Sequence, residues 1–322
     1  MGDYVSRLAF SALLVLTLTS TSASAASRNC TAAEKQAANN QLKAIEADAT
    51  VQSQIATRHA PFGVPVTTIS ANNEKVLFQN GYILGHDGDL RTALWVSYRL
   101  TANDIAGATG KDRVNCFRKD PRLSRTNAAS TSDYKEPIYD QGHMTNDADL
   151  KDDLTEQINT YMMSNMSPQH CRFNRGIWLS LEHLTRIWAE KYGDILVTSG
   201  AIFDRDGLPG RDDDTAAMYM KSNNGKERVA VPSDYFKTFL RQENGVWHAI
   251  TFKLPHNNDD NGVNWADVKP KVQAAISSML EVETASGLDL YPNIDMTTVR
   301  ESRDGYDWNL SIGRANFSSS CR

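Results

Sequence analysis

The run Asp140-Gln141-Gly142-His143-Met144 is followed at fixed distances by Asn165, Asn174, Glu182 and Arg186. An imidazole titrates near neutral pH, so His143 could take a proton from water. Amides and a carboxylate present hard oxygen atoms of the kind magnesium prefers, and an arginine can neutralise a phosphate oxygen. Together these are the parts of a metal-assisted phosphodiester hydrolysis, which needs a nucleophile, charge neutralisation and help for the leaving oxygen. Gly142 lets the backbone bend or approach a substrate closely. Each part alone has a plainer reading. A lone histidine is more often structural, Asn174 is a favoured helix N-cap, and Glu182 with Arg186 could be a surface i,i+4 pair.

These groups need elements to position them. The spacing of Ile177, Leu181, Leu184 and Trp188 predicts a helix over 175–191 capped by Asn174, whose positive end would also suit a phosphate. Glu182 lies eight residues beyond Asn174, roughly 12 Å along a helix axis, although helical side chains lean back and shorten the gap. Both can hardly ligate one ion directly, so a water between a magnesium ion and Glu182 is the arrangement the spacing allows. Arg186, one turn on, could orient that carboxylate or face phosphate. Ile138-Tyr139 reads as the end of a strand entering the histidine motif, and 154–161 as a short helix. Strand-like pieces recur at 66–69, 76–84, 93–100, 194–198, 235–240 and 246–252. A capping box at Thr31 and Glu34 opens a helix running to about Arg58, and 269–280 reads as another helix. Strands and helices without βαβ regularity predict an α+β fold with a central, mostly antiparallel sheet flanked by helices.

Residues 1–25 have the order of a secretory signal peptide: Arg7, the mainly apolar run Leu8 to Leu16, then Ala23-Ser24-Ala25. A membrane anchor needs roughly 20 apolar residues, and this run stops short. The expectation is a single domain over 26–322, with 26–64 a helical extension, secreted or periplasmic and not membrane-bound. In an oxidising compartment Cys30, Cys116, Cys171 and Cys321 should form two disulfides. The favoured pairing is Cys30 with Cys321, tying the ends down, and Cys116 with Cys171, bracing two segments of the site. The formal charge of −5 does not favour a nucleic-acid binder. Its distribution matters more, because Lys111, Arg113, Arg118, Lys119, Arg122 and Arg125 stand close together and could hold phosphates. On charge alone, an ordinary solvated loop is the better reading.

The constellation resembles the DNA/RNA non-specific endonucleases, the ββα-metal nucleases of the Serratia nuclease type. Their Asp-Arg-Gly-His pattern fits Asp140 to Ala148 except at Gln141, and the spacing of Asn165, Asn174, Glu182 and Arg186 fits as well. Arg113, in Gly110-Lys111-Asp112-Arg113 ahead of Asp120-Pro121, resembles an upstream catalytic arginine. Weaker similarity extends through Gly200 to Phe203, Leu208-Pro-Gly and Val231-Pro232. The resemblance implies a ββα-metal finger with His143 as general base, Asn174 as direct magnesium ligand and Glu182 acting through water. Asn165 would support the site, counted with the catalytic set, and Arg113 and Arg186 would contact phosphate in the transition state. Gln141, Arg113 and Arg118 are the expected substrate contacts. DNA and RNA would be cut to 5′-phosphate products, with manganese able to replace magnesium. Gln141 removes one charged phosphate contact but no acid, base or ligand. The readings left beside this one are a phosphodiesterase for small nucleotides and an inactive nucleic-acid-binding module; the intact His143, Asn174 and Glu182 argue against the second. The oligomeric state stays open, a homodimer included.

Overall fold

The alternation of Trp95, Ser97 and Arg99 with Val96, Tyr98 and Leu100 marks a strand with neighbours on both sides. In the computed structural model, which describes residues 27–69, 73–206, 208, 210–221, 228–313, 315–318 and 320–321, that strand is Thr92–Thr101, in the interior of an eight-stranded sheet. It pairs with Ile83–Asp87 on one side and Asp194–Ile202 on the other. The sheet continues past Asp194–Ile202 through Asp234–Glu243 and Val246–Pro255 to the short edge strand Ile276–Ser277. Glu74–Phe78 forms the opposite edge. All these pairs are antiparallel, and only Val299–Glu301 joins in parallel, alongside Val246–Pro255.

Three segments are divided differently from the sequence reading, each for a local reason. Residues 76–84 are a hairpin rather than one strand, because Gln79-Asn80-Gly81 turns the chain and the Gln79 amide closes on the Tyr82 carbonyl. The N-terminal helix breaks into Ala32–Glu46 and Ala49–His59, since Asp48 accepts from the amides of Thr50 and Val51 and starts a new helix. The helix expected over 269–280 instead runs from Trp265 to Ala274, and a further helix, Met279–Ser286, is capped by Ser278. Leu42, Ile45 and Ile55 of the first two helices are buried, so the extension packs on the body.

Outside the central sheet, Tyr139–His143 and Met166–His170 form a two-stranded antiparallel ribbon, with His143 opposite Met166. The second strand runs without a loop into a helix that continues to Tyr192. Trp188 on that helix stacks edge-on to Phe239 of the sheet at 4.8 Å and to Trp308 at 5.0 Å. Burying an apolar side chain the size of Phe239 contributes roughly 1.5–3 kcal/mol, so this packing fixes the helix against the sheet.

The disulfides join Cys30 to Cys116 and Cys171 to Cys321, which overturns the expected pairing. The register explains the first bond: Ser27–Asn29 lies parallel to Arg113–Asn115, and one more step brings Cys30 beside Cys116. The C-terminal tail returns to the start of the ribbon's helix, where Cys171 waits. Each end of the described chain is therefore clamped near the site instead of to the other end. Among the described residues no helix is long and apolar enough to cross a membrane, and the leader expected over 1–25 lies outside them. Proteolytic mapping without reduction should yield Cys30–Cys116 and Cys171–Cys321 peptides and no free thiol; a Cys30–Cys321 peptide would contradict this arrangement.

Candidate active site

The pleat of Tyr139–His143 places Asp140 and Gly142 on one face and Gln141 and His143 on the other. Packing requires a glycine at 142, because a Cβ there would collide with the Gln169 side chain. Asp140 reaches the helix. Its Oδ2 accepts from Asn174 Nδ2 (2.9 Å) and Arg175 Nε (2.9 Å), and its Oδ1 accepts from Arg175 Nη2 (2.7 Å). With the amide nitrogen engaged, Oδ1 is the atom Asn174 has left for a cation.

Asn174 does not cap the helix. The helix starts at Cys171, with His170 as its N-cap, and Asn174 already has helical angles (φ −59, ψ −47). From Asn174 to Trp178 it takes a π turn, in which the Leu179 amide reaches back to the Asn174 carbonyl. This extra residue resets the faces. Eight steps of a regular helix would leave Asn174 and Glu182 about 80° apart, whereas absorbing one residue in a bulge brings them within about 20° of one face.

Arg113, His143, Asn174, Glu182 and Arg186 line one cleft of about 300 Å³, together with Asn146, Asp147, Ala148, Lys151, Arg175 and Leu179. The His143 ring meets Tyr161 edge-on at 4.8 Å, and its carbonyl accepts from Trp178 Nε1 at 3.1 Å. Among the described residues its buried Nε2 has no hydrogen-bond partner, and Nδ1 is the ring nitrogen left for the cleft. Burial pushes the imidazole down to about 4; Asp147 opposes this and the positive charge of Arg113 adds to it. His143 is therefore neutral at neutral pH, in the form that accepts a proton. By contrast, His59 and His256 each have both ring nitrogens engaged.

Burial pushes the Glu182 carboxyl up to about 7, although Lys237 and Arg186 pull it back. Lys237 is fully buried over the Trp178 ring, 4.4 Å from its centroid, and its Nζ has no hydrogen-bond partner among the described residues. Arg113 donates from Nε to Tyr161 Oη (2.6 Å), and that hydroxyl donates to Asp147 (2.9 Å). Arg186 pairs with Asp149 at 3.0 Å, and Tyr98 donates to the same carboxylate at 2.8 Å. The surface-pair reading of Glu182 and Arg186 thus fails, since Glu182 is buried and Arg186 is committed to Asp149.

Three expected residues stand outside the cleft. Arg118 contradicts its assignment as a substrate contact. It is buried, donating to Asn39 Oδ1, the Ile158 carbonyl and Asn159 Oδ1, and so ties the N-terminal helix to the body. Asn165 is wholly buried behind the motif, holding the backbone of Thr145 from both sides and the Thr160 carbonyl; it braces the turn after His143 and does not face a reacting group. Gln141 shares the His143 face, half-buried, without lining the cleft. Elsewhere in the basic stretch the Arg122 side chain is buried against Asp120 and Lys111 donates to the Asp152 carbonyl, while Lys119 and Arg125 are exposed. Sequence reading missed Asp147, Asp149, Lys151, Tyr161 and Arg175. The alternation of Asp147 and Asp149 just past the motif was the available signal for the first two.

An imidazole on a two-stranded ribbon, facing an amide and a carboxylate on the helix that follows it, defines a ββα-metal nuclease finger. The sequence model of the DNA/RNA non-specific endonuclease family matches residues 63–295, and the chain belongs to that family of nucleases. It is similar to Nuclease C1 of Cunninghamella echinulata var. echinulata, with 29% identity over 227 residues, covering 69% of this chain and 85% of that one. It is also similar to mitochondrial Endonuclease G of Homo sapiens, with 28% identity over 218 residues, covering 67% and 69%. The solved complex of EndoG with EndoGI shares the fold, with a TM-score of 0.60 at 23% identity over 78% of this chain and 95% of that chain.

A base role for the neutral His143 imidazole, whose pKa burial depresses, predicts that the active form persists below the ordinary histidine range. At saturating divalent cation, kcat/KM should hold as pH falls through about 6.5 and decline only toward about 4. A His143-dependent limb at or above the ordinary value would contradict the burial argument.

Proposed function

We propose that the protein is a magnesium-dependent, sugar-non-specific endonuclease that hydrolyses DNA and RNA to 5′-phosphate products. The observation that carries this reading is the convergence of neutral His143, the oriented Asn174 oxygen and buried Glu182 in one cleft with Arg113 and Arg186. The donor set fits a hard cation: one amide oxygen fixed by Asp140, and one buried carboxylate whose desolvation Lys237 and Arg186 offset only in part. Asn174 would hold the ion directly and Glu182 through water, with manganese as an alternative. When bound, the ion would neutralise charge on the leaving 3′-oxygen.

His143 takes a proton at Nδ1 from the attacking water. The water oxygen bonds to phosphorus and the bond to the 3′-oxygen breaks, leaving a 5′-phosphate and a 3′-alkoxide that takes a proton from solvent water to become the 3′-hydroxyl. Arg113 and Arg186, held by Asp147 and Asp149, stabilise the charge on the phosphate oxygens without having to reorganise. The charged lining suits a backbone common to both polymers, and backbone contacts carry no sequence information. Two disulfides support an oxidising location, secreted or periplasmic.

Incubation of plasmid DNA and of RNA with magnesium, with and without chelator, tests the reading, and end-labelling identifies the 5′ group. Cleavage should require the cation. His143→Ala should lower kcat by about 10²–10⁴-fold with binding retained, and near-normal turnover would contradict the mechanism. In magnesium titrations Asn174→Ala should lose more apparent affinity than Glu182→Ala; the reverse order would count against Glu182 acting through water.

A further inference from the structure

Every arginine lining the cleft is tied to an aspartate: Arg113 to Asp147 (3.4 Å), Arg175 to Asp140 (2.7 Å) and Arg186 to Asp149 (3.0 Å). Lys151 lines the same cleft and makes no hydrogen bond or ion pair with any described residue. It sits in the turn that follows the histidine strand, where Asp147 and Asp149 bury their side chains and Lys151 stays half-exposed. Pair by pair the arginines and aspartates cancel. Lys151 is the positive charge of the cleft that remains uncommitted.

We infer that Lys151 is a substrate-gripping residue whose ammonium binds a backbone phosphate next to the scissile one, favouring a polymer over small phosphodiesters. This rests on the nuclease reading above. The physical division is between two kinds of cation. An arginine held by a carboxylate is fixed in place, which suits one transition state, and any phosphate it meets must share it with that carboxylate. A lysine on a flexible stem is a mobile point charge that can follow a backbone phosphate and need not surrender a partner to do so. Each phosphate neutralised releases condensed counterions, so the contact should appear in the salt dependence of binding. A small diester such as bis(p-nitrophenyl) phosphate has no flanking phosphate and cannot use it.

Binding of a synthetic duplex by the disulfide-bonded protein, in a His143→Ala background, is measured across a sodium chloride series for Lys151, Lys151→Ala and Lys151→Arg. Lys151→Ala should make the slope of log K against log salt shallower by about 0.7–0.9, and Lys151→Arg should restore it. Magnesium titrations of Lys151→Ala should match the parent, which separates loss of a phosphate contact from damage to the site. With His143 present, the Lys151→Ala rise in KM should be larger on the polymer than on bis(p-nitrophenyl) phosphate. An unchanged slope in a parent that binds, from an enzyme that cleaves, overturns the role of Lys151 alone. A parent that neither binds nor cleaves overturns the nuclease reading, and Lys151 with it.

Discussion

The Asp140 carboxylate is the joint on which the site turns. It sits on the first ribbon strand and accepts from Asn174 and Arg175 on the helix, so one side chain sets the relation of the histidine strand to the helix. It also decides which end of an amide faces the cleft. An asparagine amide is ambivalent, with a donor nitrogen on one side and an acceptor oxygen on the other, and a cation can use only the oxygen. Engaging the nitrogen removes that ambiguity and leaves the oxygen to the cleft. Asp147 and Asp149 repeat the device for Arg113 and Arg186, so the carboxylates near the motif mainly position other groups.

The rest of the fold supports this joint from outside. Trp188 and its aromatic neighbours hold the helix to the sheet, while Gly142 lets Gln169 press close to the ribbon. The two disulfides act on the two walls of the cleft. Cys30–Cys116 secures the short parallel pair that carries Arg113, and Cys171–Cys321 holds the tail where the Ser320 carbonyl meets Arg175. Closing long loops limits the freedom of the unfolded chain; here it also keeps both terminal segments against the elements that present charge.

Much of this could be read from the sequence. Periodicity placed the long central strand and the helix bearing Glu182 and Arg186, and the spacing of His143, Asn174 and Glu182 selected groups that the structure brings to one cleft. What stayed hidden has physical causes. A π turn has no distinct residue pattern, so Asn174 read as a cap although it lies within the helix. The disulfide pairing depends on a strand register formed by three residues at each partner, too short to show periodicity. Arg118 looked like part of a solvated patch because charge runs do not reveal which members are buried; its partners come from the N-terminal helix and from residues far along the chain. Asp147 and Asp149 were visible as alternating acids just past the motif, but the alternation did not say which partners their carboxylates would hold.

The direct test of this positioning is cation affinity without substrate. Magnesium binding is measured by calorimetry for the parent, Asp140→Ala, Asn174→Ala and the double variant. If Asp140 acts through Asn174, Asp140→Ala loses affinity although it removes no ligand, and the double variant binds no more weakly than Asn174→Ala alone, a non-additive result. Parent-like affinity in Asp140→Ala, or two losses that simply add, would contradict it.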